Sequence, residues 1–113
     1  MVSVGARADA ERIDRVFGAL ADATRRDIVR RVLDGEWSVS ALSREYPMSL
    51  PAIQKHVAVL ERAELVTKQR RGREQRVLPN LETVRHAARV LEQLEALWRE
   101  RLDRFADVLT DAD

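Results

Sequence analysis

Helical spacing of apolar residues dominates this chain and breaks only once, between residues 65 and 79. From Asp9 onward, Ile13, Val16, Phe17 and Leu20 fall at i, i+3, i+4 and i+7, one face of a helix. Asp22 stands where an N-cap belongs. It precedes a second helix with Ala23, Ile28, Val29, Val32 and Leu33 as its apolar set, expected to end near Gly35. Ser38 or Ser40 can cap a short third helix carrying Ala41 and Leu42, stopped by Tyr46-Pro47. Ser49 is a good N-cap for a fourth helix over about 49–63, with Pro51 in the first turn, where a missing N–H costs nothing. That helix should bury Ala52, Ile53, Val57 and Leu60 and turn Gln54, Lys55 and His56 at least partly outward.

The break in the helical pattern is a ribbon over about 65–79. Leu65-Val66 opens a strand, Gly72 marks the turn, Gln75 to Leu78 return, and Pro79-Asn80 ends the sheet. A last helix then runs from Leu81 to about Leu109. Val84, Ala87, Ala88, Leu91, Leu94, Trp98, Leu102, Phe105 and Leu109 lie along one side of it. A helix of that length spans about 43 Å, more than a domain this small can cover with itself. The excess apolar surface calls for another chain.

These elements predict a mainly α fold with a small β-hairpin wing: a winged helix-turn-helix of about five helices. Residues 1–8 are expected to be a flexible lead-in and 9–110 a single domain, with 81–109 as its dimerisation helix. A helix-turn-helix needs two short helices held at a steep angle by a small core, so that the second projects. Leu42, Ile53, Val57 and Leu60 would form that core, and Tyr46-Pro47-Met48 the turn. A plain helical hairpin with no ligand has the same pattern. The ribbon separates the two readings. Its tip carries Arg70, Arg71 and Arg73, with Lys68 and Arg76 on the strands, and such a cluster gains most from phosphates whose counterions it releases. A solvated tip is the bland alternative.

Composition refines this reading. A chain of 113 residues holds one domain, and with 45% hydrophobic but only 4% aromatic residues its core must be aliphatic. The net charge of +1 is uninformative, but its distribution is not. Ile53 to Arg76 carries seven cations against three carboxylates, and Glu92 to the end carries seven carboxylates against three cations. One surface is thus suited to phosphates and another is not. The absence of cysteine excludes disulfides, thiolate metal sites and thiol catalysis within this sequence. The N-terminal residues lack the apolar stretch of a signal peptide and no run approaches a membrane span, so a cytoplasmic location is expected. With two histidines, no G-x-S-x-G elbow and no phosphate loop, an enzyme is not expected.

The runs FGALADATRRDIVRRVLDGEWSVSAL and MSLPAIQKHVAVLERAELVTKQRRGREQRVLPN resemble the ArsR/SmtB family of bacterial winged-helix repressors, over roughly residues 13 to 80. The resemblance implies a homodimer formed through the first and last helices. Ile13, Val16, Phe17, Leu20, Leu91, Leu94, Trp98, Leu102 and Phe105 are then the interface candidates. It implies double-stranded DNA as partner, with Ser49, Pro51, Ala52, Gln54, Lys55 and His56 at or near the DNA face and Lys68, Arg70, Arg71, Arg73 and Arg76 as the wing. By chemistry, the Gln54 amide can pair bidentately with adenine, and Lys55 suits guanine or a phosphate. Ser49 at a helix N-terminus suits a phosphate. His56 either contacts the DNA backbone or helps to hold the third helix.

Three departures from the family pattern matter. Metal-sensing members carry E-L-C-V-C-D-L in the third helix, where this chain has Glu36-Trp37-Ser38-Val39-Ser40-Ala41-Leu42. Neutral hydroxyls are poor ligands for the metals such sites bind. The last helix offers only His86, with Glu82 and Glu92 as neighbours, so no metal and no cofactor are expected. The glycine that often precedes the wing is Glu64 here. Trp37 and Trp98 could line an effector pocket, though core or interface anchoring is the plainer reading; the effector itself is not legible. The alternative function is a winged-helix module that docks a protein rather than DNA.

Overall fold

The computed structural model describes residues 4–111. In chain order it contains α1 (Val4–Leu20), α2 (Ala23–Asp34), β1 (Trp37–Ser38), α3 (Val39–Ser43), α4 (Leu50–Arg62), β2 (Val66–Arg71), β3 (Glu74–Pro79) and α5 (Leu81–Asp111). The three strands form one antiparallel sheet in the order β1-β3-β2. Five helices and this small sheet make a mainly helical winged helix-turn-helix.

The helix starts are set by the caps the sequence offers. Asp22, Ser38 and Ser49 have extended backbones, and each side chain accepts the N–H three residues on, from Arg25, Ala41 and Ala52 respectively. Of the two serines proposed for α3, Ser38 is the cap. Pro51 sits in the first turn of α4, as its missing N–H allows.

One end differs from expectation, and another falls where expected but without the usual left-handed cap. α1 begins at Val4, not Asp9, because Ala6, Ala8 and Ala10 are strong helix formers, the stretch holds no proline, and Gly5 falls in the first turn. The flexible lead-in expected over 1–8 is therefore helical from Val4 to Ala8, and residues 1–3 lie outside the described part. α2 ends at Gly35 without a left-handed cap, since its φ is −167°. A Cβ there would lie 3.4 Å from the Trp37 indole nitrogen, at van der Waals contact, so neither backbone nor crowding demands the glycine.

α4 ends differently again. Leu65 N–H reaches Leu60 C=O at 3.0 Å and Glu64 N–H reaches Glu61 C=O at 2.9 Å, the paired bonds of a Schellman motif. That motif needs a left-handed residue, and Glu64 adopts it with φ +62°. The corner therefore has the geometry a glycine would give, held by a residue that resists it. Arg12 of α1 pairs with Glu64 at 3.1 Å from across the corner.

The core lies where α2, α3, α4 and the sheet meet. Ile28, Leu42, Ile53, Val57, Leu60, Leu65, Val66 and Val77 are its fully buried large side chains. Each contributes about 1.5–3 kcal/mol by leaving water. Ala52, expected inside, is half-buried. Leu33 is exposed. β1 was not anticipated: two residues, Trp37 and Ser38, pair with Val77 and Arg76. The wing itself follows expectation. Arg71 pairs with Glu74, leaving Gly72-Arg73 as a two-residue loop with positive φ only at Gly72 (+63°), as a type II′ hairpin requires.

α5 is the outlier. Only Thr83 and Ala87 are buried in it, Val84 packs against the core, and every residue from Leu91 to Asp111 is exposed. The chain measures 70 × 34 × 20 Å with a radius of gyration of 19.1 Å, against about 13 Å for a compact chain of this size.

Candidate DNA-reading surface

Two helices and a ribbon build the site. α4 buries Ile53, Val57 and Leu60 as one stripe, which leaves Ser49, Pro51, Gln54 and Lys55 exposed. Ser49 uses its hydroxyl to cap the helix by accepting the Ala52 N–H at 3.3 Å, and Pro51 in the same turn has no N–H to offer. Ala52 and His56 are half-buried on the flanks.

His56 has a definite partner. Its Nδ1 lies 3.4 Å from Arg25 Nη1. A guanidinium only donates, so Nδ1 accepts and the ring proton sits on Nε2. The histidine therefore holds α4 to the start of α2; it does not hold α3. Arg25 also donates Nε to the Ala19 carbonyl at 2.7 Å and Nη2 to Gly18 at 3.5 Å, while Arg26 donates to Leu20 at 2.7 Å. Two adjacent arginines thus satisfy the Ala19 and Leu20 carbonyls at the end of α1, add a second donor to that of Gly18, which already accepts the Ala21 N–H, and join α1 to α4. Their position just past the end of α1 was the available signal, and it was missed.

A second polar cluster orients the turn before α4. Tyr46 donates to Asp27 Oδ2 at 2.5 Å, and Arg31 Nε donates to the same oxygen at 3.0 Å. Arg30 holds Oδ1 at 2.6 Å. The Arg31 guanidinium also lies 5.4 Å from the Trp37 ring centre and 5.5 Å from that of Tyr46. The Tyr46 bond first, then the two arginines, hold the Asp27 carboxyl well below the usual carboxylate range. Burial, together with that same bond, pushes the Tyr46 phenol up to about 12. Trp37 is accordingly an anchor against the core, whereas Trp98 stands 56% exposed on α5. The structure does not bring them together as a pocket.

The five wing cations divide into two groups. Lys68 is half-buried and pairs with Glu61 at 3.3 Å. Arg76 pairs with Glu36 at 3.3 Å and lies 3.7 Å from Glu74, its buried Nε making no hydrogen bond. Arg70, Arg71 and Arg73 are exposed and form no ion pair among the described residues. The unneutralised positive charge of the wing is therefore at its tip.

Of the interface candidates, Leu91, Leu94, Trp98, Leu102 and Phe105 are all exposed. Ile13, Phe17 and Leu20 are half-buried against the core. Val16 is a correction: at 3% exposure it belongs to its own chain's core and has nothing left to offer a partner. Among the described residues no group of three or more His, Asp or Glu could hold a metal ion, and no helix is long and apolar enough to cross a membrane.

Comparison with known proteins agrees with this geometry. The profile of a Helix-turn-helix domain matches residues 20–69. The HTH-type transcriptional regulator Rv2034 of Mycobacterium tuberculosis is 38% identical over 96 residues, covering 85% of this chain and 87% of that protein. An ArsR-like transcriptional regulator from Rhodococcus sp. RHA1 superposes with a TM-score of 0.76 at 32% identity, over 89% of this chain and 95% of that one. The chain belongs to the ArsR family. It is a winged helix-turn-helix, DNA-binding transcriptional regulator, of a regulator family and not an enzyme family. A further similar structure, from Mycobacterium bovis, is described as a homodimeric winged helix-turn-helix DNA-binding domain of a possible ArsR-family regulator. It has a TM-score of 0.68 and 25% identity, over 84% of this chain and 89% of that one.

Proposed function

We propose that this ArsR-family regulator acts as a homodimeric repressor that reads a short inverted repeat. The observation that carries the dimer is the bare apolar face of α5. Leu91, Trp98 and Phe105, all exposed, recur every seven residues, with Leu94 and Val108 at the intervening positions and Arg101 as the one charged member, the seam of a helix that packs on another helix. The homodimeric M. bovis structure is similar support. Paired in this way, two α4 helices enter successive major grooves about 34 Å apart. Bound dimers then exclude polymerase from the promoter by occupying it.

On this reading Gln54 makes the main base contact and Lys55 a base or phosphate contact, while Ser49 and the α4 N-terminus take a phosphate. Arg70, Arg71 and Arg73 track the flanking backbone. Lys68, Arg76 and His56 support the surface from within through the pairs they already make. Binding is measured by fluorescence anisotropy on a specific duplex and on random duplex DNA. Gln54→Ala should weaken the first far more than the second. Replacing Arg71 and Arg73 with alanine should weaken both and flatten the slope of log K against log salt by about 1.8. Unchanged affinity and slope in both variants would place the reading surface elsewhere. No salt-sensitive binding to random DNA at micromolar protein would favour a protein-docking module instead.

A further inference from the structure

The tip of the DNA-reading surface is apolar where charge would be expected. Met48 (37% exposed) and Leu50 (42% exposed) flank the Ser49 cap, followed by Pro51 and Ala52, so Met48 to Ile53 contains no charged residue. Met48 precedes the cap and Ile53 is the fourth residue of α4, the spacing of a hydrophobic staple. Leu50 is the first residue of α4, outside that spacing, and like Met48 it is absent from the apolar side chains that pack against the core. Gln54 lies four residues on, so both side chains stand on one helix face. Single exposed leucines are common. This one sits at the helix N-terminus, the part of a recognition helix that meets base edges.

We propose that Leu50 reads the 5-methyl group of a thymine in the major groove, next to the adenine taken by Gln54. The thymine methyl is the one apolar group that the major-groove edges present, and contact with it gains from excluding water on both sides. Leu50 thereby becomes a specificity-determining residue whose signal is methyl contact, and the operator half-site must contain a thymine beside that adenine. The inference rests on the DNA-reading role of α4.

The test starts from duplexes selected by the wild-type protein out of a random pool. In the tightest of these, each thymine is replaced in turn by deoxyuridine, which deletes only the methyl group. At one position per half-site this should weaken wild-type binding about four-fold, the worth of burying one methyl-sized group. L50A should bind the parent duplex about four-fold more weakly and show no further loss with deoxyuridine at that position. M48A should keep the wild-type sensitivity. If no thymine is sensitive, or if L50A is as sensitive as the wild type, the assignment of Leu50 is wrong while DNA reading stands. If no duplex is enriched, both fail.

Discussion

Asp27 and Tyr46 share one hydrogen bond, and it gives the fold two pH limits. Asp27 is more acidic folded than unfolded. Its contribution is therefore present above about pH 4 and is lost as pH falls further toward the folded value. Tyr46 is raised from 10.0 to about 12, so its contribution is complete below pH 10 and disappears as pH climbs to 12. Urea midpoints measured against pH should fall at both ends, and Tyr46→Phe should remove the alkaline limb and soften the acid one. A Tyr46→Phe profile parallel to the wild type would show that the pair contributes nothing. Glu64 makes a second single-residue case. A left-handed non-glycine residue costs about 1–2 kcal/mol, and the Arg12 pair is exposed on both sides and worth little. Allowing for the looser unfolded chain, Glu64→Gly should stabilise by about 0.5 kcal/mol. A lowered urea midpoint would mean that the ion pair outweighs the strain.

At the scale of elements, α4 depends on neighbours that are distant in sequence. Arg25 holds the end of α1 and the flank of α4 at once, so Arg25→Ala should loosen that joint. Hydrogen exchange should then speed up in both the last turn of α1 and the middle of α4. Acceleration confined to α1 would mean that His56 is held by packing alone. Leu60→Ala, at the centre of the core, should cost about 2–5 kcal/mol and take the whole domain with it. Helix caps, the apolar stripe of α4 and the hairpin turn were legible in the sequence, because each is a local rule: Asp22, Ser49 and Gly72 act within a few residues. The start of α1, β1 and the two arginine clusters were not. Two residues of strand have no periodicity to detect. Arg25 meets His56 across 31 positions and Tyr46 meets Asp27 across 19, contacts that only the folded chain brings about. The site was legible to the same extent. Exposure of Gln54, Lys55 and the wing tip follows from spacing, but the internal pairing of Lys68 and Arg76 depends on where Glu61 and Glu36 come to rest.

At the scale of the molecule, α5 is 31 residues long, about 46 Å, and two thirds of it is exposed to solvent. That much exposed leucine, tryptophan and phenylalanine on one helix exceeds what monomeric proteins ordinarily leave in water. Sedimentation equilibrium should give a dimer, and replacing Trp98 and Phe105 with glutamate should give a monomer that still folds, since neither belongs to the core. An unfolded double variant would point to a chain stable only as a pair. The charge asymmetry fits the proposed arrangement, with the cations gathered on α4 and the wing and the acidic end of α5 remote from them in sequence. Selection of duplexes from a random pool tests the central claim most directly. A dimer with two reading heads predicts an inverted repeat whose half-sites are centred about one helical turn apart, roughly 10 base pairs. Enrichment of a lone half-site, or of no sequence at all, would contradict it.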